Sequence, residues 1–210
     1  VVLLGDMECT EPLDRHVAPI FAHGASLHWI FGNHDADGGP EMWANLSDAA
    51  RNPATAAGAL HGRVAEIGGV RVAGLGGTFH TRVWNPPAAP RLHGRAELAA
   101  ASRLHPGPRA AMSADVEALA RQRADVLVTH EAPSSHPSGA AVLDGLARAM
   151  GARLVVHGHH HVAYRARAAD GLEAQGVAAA WGMGLGGVAH WRGEAERRRA
   201  PPQAGWAYAP

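Results

Sequence analysis

Charge of one sign, cysteine and long apolar runs are what this sequence has least of. Lys plus Arg and Asp plus Glu both number 19, so the formal net charge is zero with histidine neutral. A global field that draws in nucleic acid or an anionic membrane is therefore excluded, and a charged partner has to be recognised locally. The one cysteine, Cys9, rules out an internal disulfide and fits a reducing, cytoplasmic setting. No apolar run approaches the ~20 residues that span a bilayer, and no signal peptide is visible. The chain opens VVLLGD, already inside a strand and with valine in the first place, so the native N-terminus is expected upstream.

Histidine is the residue in excess, 15 of 210, and many of these must be incidental. The length suits one domain with a sizeable core, expected over residues 1–193, with the ERRRAPPQAG region from 194 to 210 as a solvated tail. VVLLG (1–5) is a buried strand ending at Gly-Asp, EPLDRHVAPIFAHG (11–24) has helical spacing, and SLHWIF (26–31) is the next strand. A helix is expected from Pro40 to about Ala50, and RVAEIGGVRVAGLGG (63–77) reads as a hairpin turning at Gly68-Gly69. Residues 78–112 form an excursion with a short helix around Ala96–Leu104. SADVEALARQR (113–123) is a helix capped by Ser113, DVLVTH (125–130) a strand, GAAVLDGLARAMG (139–151) a helix, and RLVVH the start of another strand.

Four of these strands share one property: a ligand-type residue follows as soon as the apolar run ends. They are VVLLGD, LHWIFGNHD, VLVTH and LVVHGHHH. In an open α/β sheet the carboxyl ends of strands share a rim, so groups far apart in sequence converge there. Asp6, Asn33, His130, His159 and His161 would supply oxygen and imidazole nitrogen, a mixture suited to Mn, Fe or Zn rather than calcium. Glycines at 5, 32 and 158 allow sharp turns and close approach of backbone. If residues 159–161 are extended, His159 and His161 face one side while His160 points away, so replacing His160 should matter least.

The ordered set GD, GNHD, TH and GHHH resembles the calcineurin-like metallophosphoesterase family, whose blocks run Asp-x-His, Gly-Asp, Gly-Asn-His-Asp/Glu, His and Gly-His-x-His. The resemblance implies an α/β fold, a four-layer α-β-β-α sandwich of two mixed sheets flanked by helices, lacking its first strand here. It also implies two divalent metal ions (Mn, Fe or Zn), with Asp6 bridging them. Asn33, His130 and His159 would complete one site, and His161 would belong to the other. His34 would donate to the leaving-group oxygen, with Asp35 holding its imidazole. The Asp-x-His block has no counterpart: Asp14-Arg15-His16 fits the letters but falls in the expected helix. GDMECTE and GNHD depart from the protein phosphatase pattern, leaving small-molecule or nucleotide-type phosphomonoesters and phosphodiesters as substrates.

Two other readings stay open: a member that binds one metal or a phosphate without turnover, and a DNA nuclease, which the charge balance disfavours. GTFHTRVWNPP (76–87), with His80, Arg82 and Trp84, could reach over the rim, and His136 could line the site. His16, His23, His28, His61, His93, His105 and His190 are read as surface or satisfied positions. GMGLGG (182–187) is read as a glycine turn, and Cys9 as a small buried residue. An apolar strand edge at VVLLG would favour self-association.

Overall fold

The computed structural model describes residues 1–101, 107–178, 181–183 and 189–192. Two sheets lie back to back. The smaller is the parallel pair β1 (Val2–Leu3) and β2 (His28–Trp29), in register Val2 to His28. Between them run α1 (Leu13–His16) and α2 (Ala18–Ala22), and α3 (Pro40–Ser47) follows β2. The single helix expected over 11–24 is thus two short ones. Pro19, which has no N–H to donate to a preceding turn, sits in the first turn of α2, where none is required.

The larger sheet has six strands: β3 (Arg63–Ile67), β4 (Val70–Leu75), β5 (Val126–Thr129), β6 (Leu154–His157), β7 (Tyr164–Arg167) and β8 (Glu173–Gly176). Their spatial order is β3-β4-β5-β6-β8-β7. The inner strands β4, β5, β6 and β8 are parallel, and β3 and β7 are antiparallel edges, so the sheet is mixed. Gly68 and Gly69, at φ 59° and 80°, make the turn between β3 and β4, a left-handed pair that matches the twist of a tight hairpin. Helices α4 (Arg95–Ala100), α5 (Ser113–Ala120) and α6 (Ala141–Met150) cover this sheet. A further antiparallel pair, β9 (Trp181–Met183) and β10 (Ala189–Arg192), forms a two-stranded sheet of its own.

The period-two alternation of each strand distributes side chains between layers. In β4, Ala73 and Leu75 pack with Leu119, Leu143 and Met150 of the helices, while Val72 joins Ile30, Val126, Val128 and Val156 between the sheets. Trp29 and Phe31, flanking Ile30, pack the other way, against Leu13, Val17 and Leu46. Three cores between four layers give the α-β-β-α sandwich.

Two local expectations change. Ser113 does not cap α5: the residue before the helix is Met112, and the Ser113 hydroxyl meets His93 Nδ1 at 3.1 Å. Trp84 does not reach over the rim, because it is 8% exposed and packs edge-on to Phe79 within the helix-side core. Residues 184–187 of GMGLGG and the 194–210 tail lie outside the described residues. Among the described residues no helix is long and apolar enough to cross a membrane.

Candidate metal centre

Each element delivers its polar residue at the carboxyl end of a strand. β1 runs into Gly5-Asp6, β2 into Gly32-Asn33-His34-Asp35, β5 into His130 and β6 into Gly158 to His161. The parallel registers Leu3 to Trp29 and Thr129 to His157 bring these ends together. Glycine is required at the closest approach. A Cβ on Gly32 would stand 2.5 Å from His130 Cε1 and closer still to Asp6 Oδ1, and one on Gly5, at φ 98°, would stand 2.6 Å from Gly32 N. The floor under the site is therefore bare backbone.

His130 is the most enclosed of the group, 1% exposed. Its Nδ1 lies 2.7 Å from the Leu4 carbonyl and donates to it. In the neutral ring Nε2 then carries a lone pair, and it faces Asn33 Oδ1 at 2.9 Å and Asp6 Oδ2 at 3.3 Å. Asp6 Oδ2 is itself buried with no hydrogen-bond partner, whereas Oδ1 accepts the His34 N–H at 2.9 Å. Three electron-pair donors thus converge on one point without a proton between them, an arrangement a divalent cation satisfies.

Asp35 has a different role from the one expected. It is fully buried and accepts N–H groups from Gly32 at 2.7 Å, Asp6 at 3.0 Å and Glu8 at 2.9 Å. It locks the turns after β1 and β2 together and does not hold the His34 imidazole. That ring is held by Asp37, whose Oδ2 is 2.6 Å from His34 Nδ1. This hydrogen bond raises the His34 pKa, with the charges of Asp6 and Glu8 adding to it. Arg109, from the segment before α5, is paired with Asp37 and donates to the Asn33 carbonyl at 3.3 Å. The sequence reading missed Asp37 and Arg109. An acid three residues after a histidine was the available signal for the first, and nothing local pointed to the second.

The last loop departs from the extended geometry assumed for it. The His160 N–H donates to the Gly158 carbonyl at 2.8 Å, and His159 and His161 take φ 62° and 56°. Asp6, at φ 56°, is left-handed as well, so three of the five expected ligands sit in a conformation that costs about 1–3 kcal/mol each. His159 reaches the centre: its ligand atom and those of Asp6 and His130 lie within 4.8 Å of one another. Burial pushes its pKa down to about 4, with the neighbouring His130 and His160 adding to the effect.

His161 is exposed and belongs to neither of the convergent ligand groups among the described residues. His160 does not point away as expected. It bonds Glu131 Oε1 at 3.0 Å and stacks on His136, ring centroids 4.0 Å apart. Asp14 is committed elsewhere, accepting the Ala54 and Thr55 N–H groups at 2.8 and 2.9 Å. Cys9 is buried, its thiol pushed up to about 11 by burial and by Asp35.

With this geometry in place, the comparisons with known proteins are direct. The profile of the calcineurin-like phosphoesterases matches residues 1–163. The chain belongs to the calcineurin-like phosphoesterase family. An uncharacterized protein of Haemophilus influenzae is 34% identical over 182 residues, spanning 77% of this chain and 72% of its own length. No solved structure matches. Calcineurin-like phosphoesterases are metal-dependent hydrolases, so membership sets a phosphoester as substrate and divalent metal as the aid to its cleavage. In this calcineurin-like member the four rim segments from Gly5 to His161 fall inside the matched region.

Proposed function

We propose that this chain hydrolyses a phosphomonoester or phosphodiester of small-molecule or nucleotide type, in the cytoplasm, at a centre of two divalent ions. The observation that supports it most directly is the orphaned Asp6 Oδ2 facing His130 Nε2 and Asn33 Oδ1. Divalent Mn, Fe or Zn, when bound, supplies Lewis acidity toward phosphoryl oxygens and lowers the pKa of a water. Asp6, Asn33 and His130 would hold such an ion, with His159 in reach.

The rest falls to the protein's own groups. His34 stands exposed beside Asp6, its Nδ1 engaged by Asp37, a hydrogen bond that raises its pKa and favours the ring form with a proton on Nε2. As the phosphorus–oxygen bond breaks, that Nε2 proton passes to the departing oxygen, a contribution of about 10²–10⁴ in rate for a general acid. Asp37 fixes the ring and Arg109 fixes Asp37.

The test is metal content and turnover together. Protein loaded with Mn²⁺ is expected to cleave p-nitrophenyl phosphate or bis-p-nitrophenyl phosphate, and Asp6→Asn to lose both metal and turnover. The exposure of His161 favours a second reading, a single-ion phosphate binder without turnover. One ion per chain, phosphate binding and no cleavage of either ester would establish that reading instead.

A further inference from the structure

We infer that the cavity at the amino ends of β6 and β8 is a binding site for a phosphorylated organic anion of nucleoside-diphosphate size. The site is separate from the metal centre and does not depend on the hydrolase reading. Its place follows from the register of the sheet: Leu154 pairs with Glu173, so two parallel strands start at the cavity and run toward the rim. β6 is four residues long, and about 13 Å of strand therefore separates the cavity from the rim loop that begins at Gly158. Gly151, which ends α6 in a left-handed turn, and the Asp170-Gly171 turn between β7 and β8 complete the lining.

The volume is about 620 Å³, within the ~300–1,000 Å³ of small-molecule pockets and well above what one phosphate fills. Three arginines line it, Arg148, Arg153 and Arg167, together with two carboxylates, Asp170 and Glu173. Both carboxylates are already answered: Arg148 Nε stands 2.5 Å from Asp170, and Arg165 Nη2 stands 3.3 Å from Glu173. Among the described residues the side chains of Arg153 and Arg167 have no ion-pair or hydrogen-bond partner. In a chain whose formal charge sums to zero, two unanswered guanidinium groups on one cavity make a local excess of positive charge.

The backbone does not oppose an anion there. Carbonyl groups at the end of a helix repel negative charge. Those of Ala147, Arg148, Ala149 and Met150 are taken by the N–H groups of Ala152 and Gly151, by the Arg123 guanidinium and by the Ala124 N–H. Arg167 Nη2 lies over Gly171, where a Cβ would stand 3.8 Å from it, so this guanidinium is set next to the Arg148–Asp170 pair. A guanidinium presents paired N–H groups that match phosphate oxygens, and its flat face stacks on an aromatic ring. Leu154 and Leu172 add an apolar stretch that an inorganic ion would leave unused. Phosphate on Arg153 and Arg167, with an organic group against the two leucines, satisfies both halves of the cavity.

The full chain is stripped with chelator, which removes metal-held phosphate from the rim, and is titrated calorimetrically with ADP and with pyrophosphate. One ADP per chain is expected, with pyrophosphate bound more weakly. Arg153→Ala and Arg167→Ala should each weaken ADP binding about 10-fold, and Arg153→Glu about 100-fold. Their melting temperatures should stay at the wild-type value, because neither side chain has a partner among the described residues. Asp6→Asn, on the rim, should bind ADP as the wild type does. Failure to bind ADP without metal, binding that Arg153→Glu leaves unchanged, or pyrophosphate bound as tightly as ADP would each overturn the assignment. Loss of binding in Asp6→Asn would overturn it as well and put the nucleotide at the metal centre.

Discussion

The two histidine-bearing loops on the rim, 32–35 after β2 and 158–161 after β6, are held in opposite ways. Residues 32–35 are tied down by one fully buried carboxylate, Asp35, which gathers three backbone N–H groups from two strand ends. Residues 158–161 have no such anchor. They turn through two left-handed histidines and are steadied by ring stacking and the His160–Glu131 contact. The first loop satisfies its backbone donors within the protein, whereas the second presents imidazole groups held mainly by one another and by Glu131. Rigidity is thus built into the side of the site that carries His34, and exposed imidazole into the side that carries His159.

The sharpest way to break this contrast is to remove the anchor. Asp35→Ala strands buried donors, each at a cost of about 1–3 kcal/mol, so a loss of about 3–5 kcal/mol is expected in urea unfolding, with or without chelator. A loss below about 1 kcal/mol would mean that the loop is held by something else.

The second loop has an acid-sensitive root in His157. Burial pushes its pKa down to about 4, and in the neutral ring Nδ1 donates to the Gly158 carbonyl while Nε2 accepts from Tyr164. The unfolded chain, with an ordinary histidine near 6.5, takes up a proton first as pH falls. Stability is therefore unaffected by His157 above about pH 6.5, declines toward pH 4 by about 3 kcal/mol in all, and levels off below. His157→Gln, unfolded in chelator across that range, should show a flatter dependence, and an unchanged slope would remove His157 as the cause.

Asp37→Asn tests the rigid side through its chemistry. Turnover is expected to fall about 10- to 100-fold, the scale of losing an orienting carboxylate. Alkyl esters should suffer more than nitrophenyl esters, because nitrophenolate leaves without a proton. Equal loss for both would argue against a proton-donating role for His34. The smallest effect belongs far from either loop, at the exposed Arg71–Asp125 pair. The Arg71 hydrogen bonds hold Asp125 at about 2, so its contribution is present above the unfolded value near 3.8 and fades as pH falls through about 2. Asp125→Asn should lower the melting temperature only slightly at neutral pH, and less in high salt.

The rim was legible because its signal is local: an apolar run, a glycine and a ligand-type residue at each of four strand ends. The layer assignment came with the family resemblance, and the alternation of Val72, Ala73 and Leu75 is what carries it in the fold. What escaped depended on the path of the backbone between such points. Asp35 and Asp37 are both acids after His34, and only the turn decides that the first goes inward and the second meets the ring. Residues 159–161 were read as extended, and the left-handed turn at His159 exchanged the expected places of His160 and His161. Arg109 reaches Asp37 from 72 residues away, a pairing that no spacing encodes. Pro19, by contrast, was a local signal against the continuous helix over 11–24.

The bare floor at Gly5 and Gly32 bears on how such a site can be altered. Its depth is set by the spacing of two hydrogen-bonded strands, a dimension that no choice of rotamer adjusts. Even alanine at Gly32 would displace the Asp6 carboxylate or the His130 ring. Changes of substrate preference must therefore be written on the walls, in segments such as 133–139, whose His136 stacks on His160. Diversifying those walls should yield chains that retain metal while changing what they accept, whereas diversifying the floor should yield chains that lose both together.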